Sequence, residues 1–155
     1  MVRSYYLMAA PSLSLDAPTA DDQPPMEIAP DTTQQWVVAL GQESWALAAP
    51  ASLTVWTALA DFSSGRARID VSLSDCAVDL SDCRPLLQGG ATAPDWGEGT
   101  GGYVERTLDL RGNDATLDQG RSLVLSITAH RSTPKAVWIA VGRASAPTAL
   151  TLNAS

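Results

Sequence analysis

One histidine, two cysteines and ten basic residues are all that 155 residues hold of those types. Each shortage removes a class of function. Seventeen Asp and Glu against ten Lys and Arg leave a formal charge of −7 and an isoelectric point near 4.4. Such a surface repels phosphate, so neither nucleic acid nor an anionic membrane is an expected partner. No apolar run approaches the roughly 20 residues that span a bilayer. No stretch carries a 3.6-residue apolar period with caps, which excludes a helical body. His130 follows an apolar strand and precedes a turn. With no GxSxG elbow to supply a nucleophile, it is read as a surface or sheet-edge histidine. Zinc needs four ligands, and Cys76 and Cys83 find only His130 as a nitrogen donor.

The remaining motifs are equally unreactive. Residues 97–102 are Gly-rich but lack the Lys and Ser/Thr of a phosphate loop and open a strand. Asp75, Asp79 and Asp82 match no EF-hand spacing and read as a solvated acidic loop. No pair of carboxylates stands out as glycosidase machinery. The expectation is therefore no enzyme, no cofactor and no metal. Cys76 and Cys83, with six residues between, either close a small loop or stay as buried thiols. One such pair does not make a disulfide-dense scaffold. Arg3 before YYLMAA imitates the start of a leader, but Pro11, Ser12, Ser14 and Asp16 break the apolar run too early. The chain is read as made in a cytoplasm without one.

What the sequence does hold is alternation. In Ser52–Leu73, Ala67, Ile69, Val71 and Leu73 alternate with Arg66, Arg68, Asp70 and Ser72. Leu53, Val55 and Leu59 share a parity opposite Trp56. Ser63, Ser64 and Gly65 supply turn chemistry between them, so the stretch reads as a hairpin. Further strands are expected at 1–8, 36–40, 44–48, 103–110, 121–129, 137–141 and 150–152, with a long surface loop at 89–102. Eight to ten short strands with regular turns predict an all-β antiparallel β-sandwich, jelly-roll-like. Its domain occupies 34–155. Residues 1–33 supply a first strand, anchored by Tyr5, Tyr6 and Leu7, and an extended Pro-rich arm. That arm, 9–31, lies either along its own sandwich or across a neighbouring subunit. At 155 residues such a chain can bury a substantial core.

Five tryptophans are many for this length. Trp36, Trp45, Trp56 and Trp138 fall within strands and read as core or sheet-face packing. Trp96 lies in the Gly-rich loop with Asp95 and Glu98. It is the aromatic expected to meet a partner or a glycan, unless it folds back on its own domain. The expected partner-binding residues are Tyr5, Tyr6, Pro24, Pro25, Ile28, Trp96 and Tyr103.

Several stretches together carry a resemblance. YVERTLDL, the turn RGNDATLDQG, then RSLVLSITA and AVWIAVGRASAPTALTL are similar in order to the C-terminal jelly roll of X-Pro dipeptidyl-peptidase and cocaine-esterase-like hydrolases. Gly120-Arg121-Ser122-Leu123 stands where that family has a "GHRL"-like strand start. YYL before a Pro-rich segment resembles the opening of such modules. The match covers 34–152. In that family the catalytic serine, aspartate and histidine belong to a separate domain, so the resemblance carries no catalytic residue here. A leaderless, acidic jelly roll with a long arm also looks like a bacteriophage virion protein. The function this implies is a non-enzymatic capsid decoration or cement protein on the exterior of a phage head. Its partner would be the major capsid protein or another virion protein, with homo-oligomers expected. A carbohydrate-binding module, a tail accessory protein and an accessory sandwich of a secreted enzyme are the alternatives.

Overall fold

A computed structural model describes residues 2–96 and 102–154. The described chain is an antiparallel β-sandwich of twelve strands. One layer is β4 (Thr32–Ala39), β10 (Ser122–Ala129), β6 (Ala67–Cys76) and β7 (Arg84–Ala93), in that order. The other is β2 (Leu13–Ser14), β1 (Val2–Leu7), β12 (Ala149–Ala154), β5 (Trp45–Leu59) and β8 (Val104–Gly112). β5 is the spine of this second layer. One of its edges pairs with β12 and then β11 (Val137–Ile139), the other with β9 (Ala115–Leu117) and then β8. β3 (Met26–Ile28) adds to the outside of β11.

The alternating residues do what period two demands. Leu53, Val55, Leu59, Leu108, Leu110, Leu150 and Leu152 face inward from one layer, and Trp36, Ile69, Val71, Leu73, Leu123, Leu125 and Ile127 from the other. Each such aliphatic side chain contributes about 1.5–3 kcal/mol by leaving water. Trp56 points to the opposite face of β5 and stays half-buried.

The expected hairpin at Ser52–Leu73 is instead an arch. β5 and β6 lie in opposite layers, and β6 pairs with β10 and β7. The two apolar faces meet across the core rather than lying side by side. The 3-10 turn Ala60–Phe62 makes this crossing, with Asp61 and Phe62 both left-handed. The strands expected at 44–48 and from 52 onward are one, β5, which bulges at Pro50, where residues 49–51 lie against Leu152 alone of β12.

Residues 89–93, expected to open a long loop, are the end of β7. Their glycines serve a close approach. The two layers join at a corner where Leu87 and Gln88 of β7 pair with Gly112 and Arg111 of β8. A Cβ on Gly112 would lie 2.2 Å from the Leu86 carbonyl oxygen, and one on Gly89 2.5 Å from that of Asp109. Only glycine lets the backbones pass this closely.

The arm lies along its own sandwich. β2 pairs with β1, and Ser12 bridges to Val37. Asp21 Oδ1 accepts from the Ser145 amide (2.7 Å) and hydroxyl (2.8 Å). Arg143 Nη1 donates to the Gln23 carbonyl at 2.7 Å, and Trp138 Nε1 to Glu27 Oε1 at 3.1 Å. β3 then completes the strap, pairing Ile28 with Val137.

Candidate interaction surfaces

The structure separates the residues expected to bind a partner. Tyr5 and Ile28 are buried, as components of β1 and β3. Both belong to the inward parity of their strands, so they hold the sandwich together and present nothing outward. Tyr6 and Pro25 are half-buried and Pro24 is exposed. Trp96 is fully buried, at 0% exposure. Its amide donates to Gly65 (2.7 Å) and its indole Nε1 to Thr57 Oγ1 (2.9 Å). The Arg106 guanidinium stacks 4.2 Å from its ring centre and donates to its carbonyl. Trp96 is a plug between the layers, so of the two readings of this residue the structure has the one in which it folds back on its own domain. Glu98 and the rest of 97–101 lie outside the described residues.

Tyr103 alone joins an outward aromatic group. Phe62 packs edge-on against both Tyr103 (5.4 Å between ring centres) and Trp138 (5.1 Å). Arg143 lies 5.8 Å above Tyr103, and partial burial raises the Tyr103 hydroxyl's pKa. Phe62 carried no signal in the sequence, because a lone aromatic beside a turn has no period to mark its face.

His130 does meet a serine. Its Nδ1 lies 2.8 Å from Ser132 Oγ and accepts the Ser132 amide at 3.1 Å. The two residues cap one turn. Among the described residues no carboxylate bonds to His130 in the way that orients a triad histidine.

The acidic loop is more elaborate than expected. Cys76 and Cys83 are disulfide-bonded, which settles the choice between bridge and thiols. Asp75 is not solvated: its side chain is 1% exposed. It occupies the inward parity of β6, opposite Leu123. Arg84 grips it with two bonds, Nε to Oδ1 (3.0 Å) and Nη2 to Oδ2 (2.6 Å). Arg121 adds Nε to Oδ1 at 2.8 Å. A buried carboxylate is tolerated only with such compensation. Asp75 in turn raises the pKa of both guanidiniums. Arg121 also reaches up to the Asp82 carbonyl (2.7 Å) and carboxylate (3.3 Å), tying the loop to the strands beneath. Asp79 accepts from the Ser81 hydroxyl and amide, which lowers its pKa. No group of carboxylates, cysteines or histidine among the described residues is arranged to hold a metal ion.

No protein-family model matches the chain, and no curated protein matches it in sequence. Solved structures match it in fold. A CocE/NonD family hydrolase from Staphylococcus aureus superposes with a TM-score of 0.80 at 10% identity, over 99% of this chain and 36% of that one. An aminopeptidase from a marine sediment Thaumarchaeota archaeon gives 0.76 at 12% identity, over 100% and 37%. An α-amino acid ester hydrolase gives 0.76 at 11%, over 99% and 36%. The chain thus spans about a third of the length of these hydrolases and shares the fold of a β-sandwich within them. The resemblance read from the strand order holds at the level of fold. It extends over the whole chain, first strand and arm included, rather than 34–152 alone.

Proposed function

We propose that this chain is a non-enzymatic β-sandwich module that works by being held against a larger protein body. The observation that carries this reading is the match of the entire chain to one part of much longer hydrolases. The local chemistry agrees. Among the described residues no carboxylate bonds to the His130–Ser132 turn, and the buried Asp75 carboxylate is neutralised by Arg84 and Arg121. Sandwiches of this kind offer rigid faces, and function resides in what those faces touch. The test is the native mass of the protein in an extract of its source cell, by gel filtration and immunodetection. The module reading expects elution far above 16.3 kDa. Elution at the monomer mass, or ester or amide hydrolysis abolished by His130→Ala, overturns it.

Attachment to the exterior of a phage head is the second reading. Its specific support is the charge of −7, which suits a shell's outer surface away from packaged nucleic acid. The arm no longer argues for it, because residues 9–31 are occupied with their own sandwich. Many shallow contacts repeated by symmetry would then supply the affinity. Co-sedimentation of the purified chain with heads supports this version, and absence from the pellet at micromolar concentration refutes it.

A further inference from the structure

The short connection between β6 and β7 displays the most exposed large apolar side chain among the described residues, Val78 at 69%, with Leu80 beside it at 42%. Isolated exposed hydrophobes are ordinary. These two sit on a loop that has been given a single shape. The Cys76–Cys83 bridge closes its base. Ala77 N donates to Ser81 O, and Leu80 N to Ala77 O, both at 2.8 Å. Leu80 (φ 64°) and Asp82 (φ 49°) are held in the left-handed region, where residues other than glycine are strained. Beneath, the Asp75–Arg84–Arg121 cluster anchors both strand ends. Strain of this kind persists only where the surroundings over-determine it, and it concentrates at recognition sites. A pre-shaped loop also loses little entropy on binding.

The charges around the tip indicate the partner. Asp79 is exposed, and the Asp82 and Asp118 side chains are 80% and 61% exposed. The nearby guanidiniums, Arg84 and Arg121, are committed to Asp75 and also pair with Asp118 (3.6 Å) and Asp82 (3.3 Å), so four carboxylates, Asp75, Asp79, Asp82 and Asp118, outnumber two cations. The tip is therefore apolar at its centre and acidic at its rim. We infer that the Cys76–Cys83 loop is the docking element of the chain, seating Val78 and Leu80 in an apolar pocket rimmed by Lys and Arg on a different protein. This inference rests on the module reading above and names the surface that does the holding.

The experiment places a photoreactive benzoylphenylalanine at Val78 of the full chain in its source cell. A second position, Thr92, exposed on β7, serves as control. Cross-linked residues are mapped by mass spectrometry. The expected result is one protein joined at 78 and not at 92, through an apolar pocket flanked by basic residues. Val78→Asp with Leu80→Asp should then weaken binding to that purified protein by roughly tenfold or more, as loss of a buried anchor does. Binding should also weaken as salt rises. Val78→Ile should leave it intact. Equal labelling at 78 and 92, an acidic pocket, or a second copy of this chain as the captured protein overturns the inference. If the double-Asp variant, folded by circular dichroism, still elutes in the large assembly, the loop is wrong and the module reading stands. If the chain elutes alone, the module reading itself fails.

Discussion

Replacing Trp96 by alanine tests whether this side chain belongs to the core or to a partner. The indole is fully buried, and its removal leaves a void between the layers that neighbouring strands cannot close. Trp→Ala changes in cores cost about 3–5 kcal/mol. Arg106 loses the ring it stacks on, a contribution of about 0.5–2 kcal/mol. Thr57 loses the indole donor but keeps its own donation to the Trp138 carbonyl at 2.9 Å, so no buried group is orphaned there. The sum is about 5 kcal/mol, a large share of the roughly 5–15 kcal/mol that holds a domain together. For a chain of this size it corresponds to a fall in Tm of about 10–20 °C. Trp96→Phe keeps most of the area and should cost about 1–2 kcal/mol. Urea denaturation followed by circular dichroism measures both. A loss below about 1 kcal/mol for Trp96→Ala would refute the plug and return Trp96 to the list of binding residues.

Other outcomes follow from the same contacts. Gly112→Ala places a Cβ 2.2 Å from the Leu86 carbonyl, so the corner between β7 and β8 must open, and a loss above about 3 kcal/mol is expected in the same urea assay. Asp75→Ala leaves Arg84 and Arg121 without their shared acceptor. It should lower Tm and speed hydrogen exchange across 76–84, whereas Asp82→Ala, which keeps the Asp75 bonds, should affect only the loop. Asp21 accepts from the Ser145 amide, which holds its pKa below the usual 3.8. Its contribution to docking the arm is therefore complete above the unfolded value and is lost as pH falls through the lowered folded one. Protection of Ala144 and Ser145, taken relative to intrinsic amide exchange at each pH, should hold at pH 5 and fall below about pH 3.8, and Asp21→Asn should flatten that dependence.

The layers were legible because alternation reports which face of a strand is apolar. It does not report what covers that face. An arch and a hairpin share one local pattern around Ser63–Gly65, and only the pairing of β6 with β10, some fifty residues downstream, separates them. Gly89 and Gly90 carry the composition of a loop, yet their reason is the backbone of the flanking strands, β8 against Gly89 and β6 against Gly90, a tertiary fact. The same holds at Trp96, which is held by Thr57 and Arg106, residues far from it or across the sheet that its Gly-rich stretch of sequence does not reveal. Asp75 continues the alternation of Ile69, Val71 and Leu73 and so pointed inward from the start. A charged letter at an apolar position hides in the sequence until Arg84 and Arg121 are seen beside it. Val78 and Leu80 are apolar letters between two cysteines in an acidic stretch, a signal that reading the stretch as a solvated acidic loop passes over.

The central claim is that the sandwich is a rigid block whose purpose lies in what it is seated on. An electron cryomicroscopy reconstruction of the native particle or complex that carries the chain tests this most directly. The account predicts density for a discrete β-sandwich resting on a larger protein body, with the tip of the 76–83 loop at the junction. A chain found free of any assembly, or one holding a small molecule over His130 and Ser132, would contradict it.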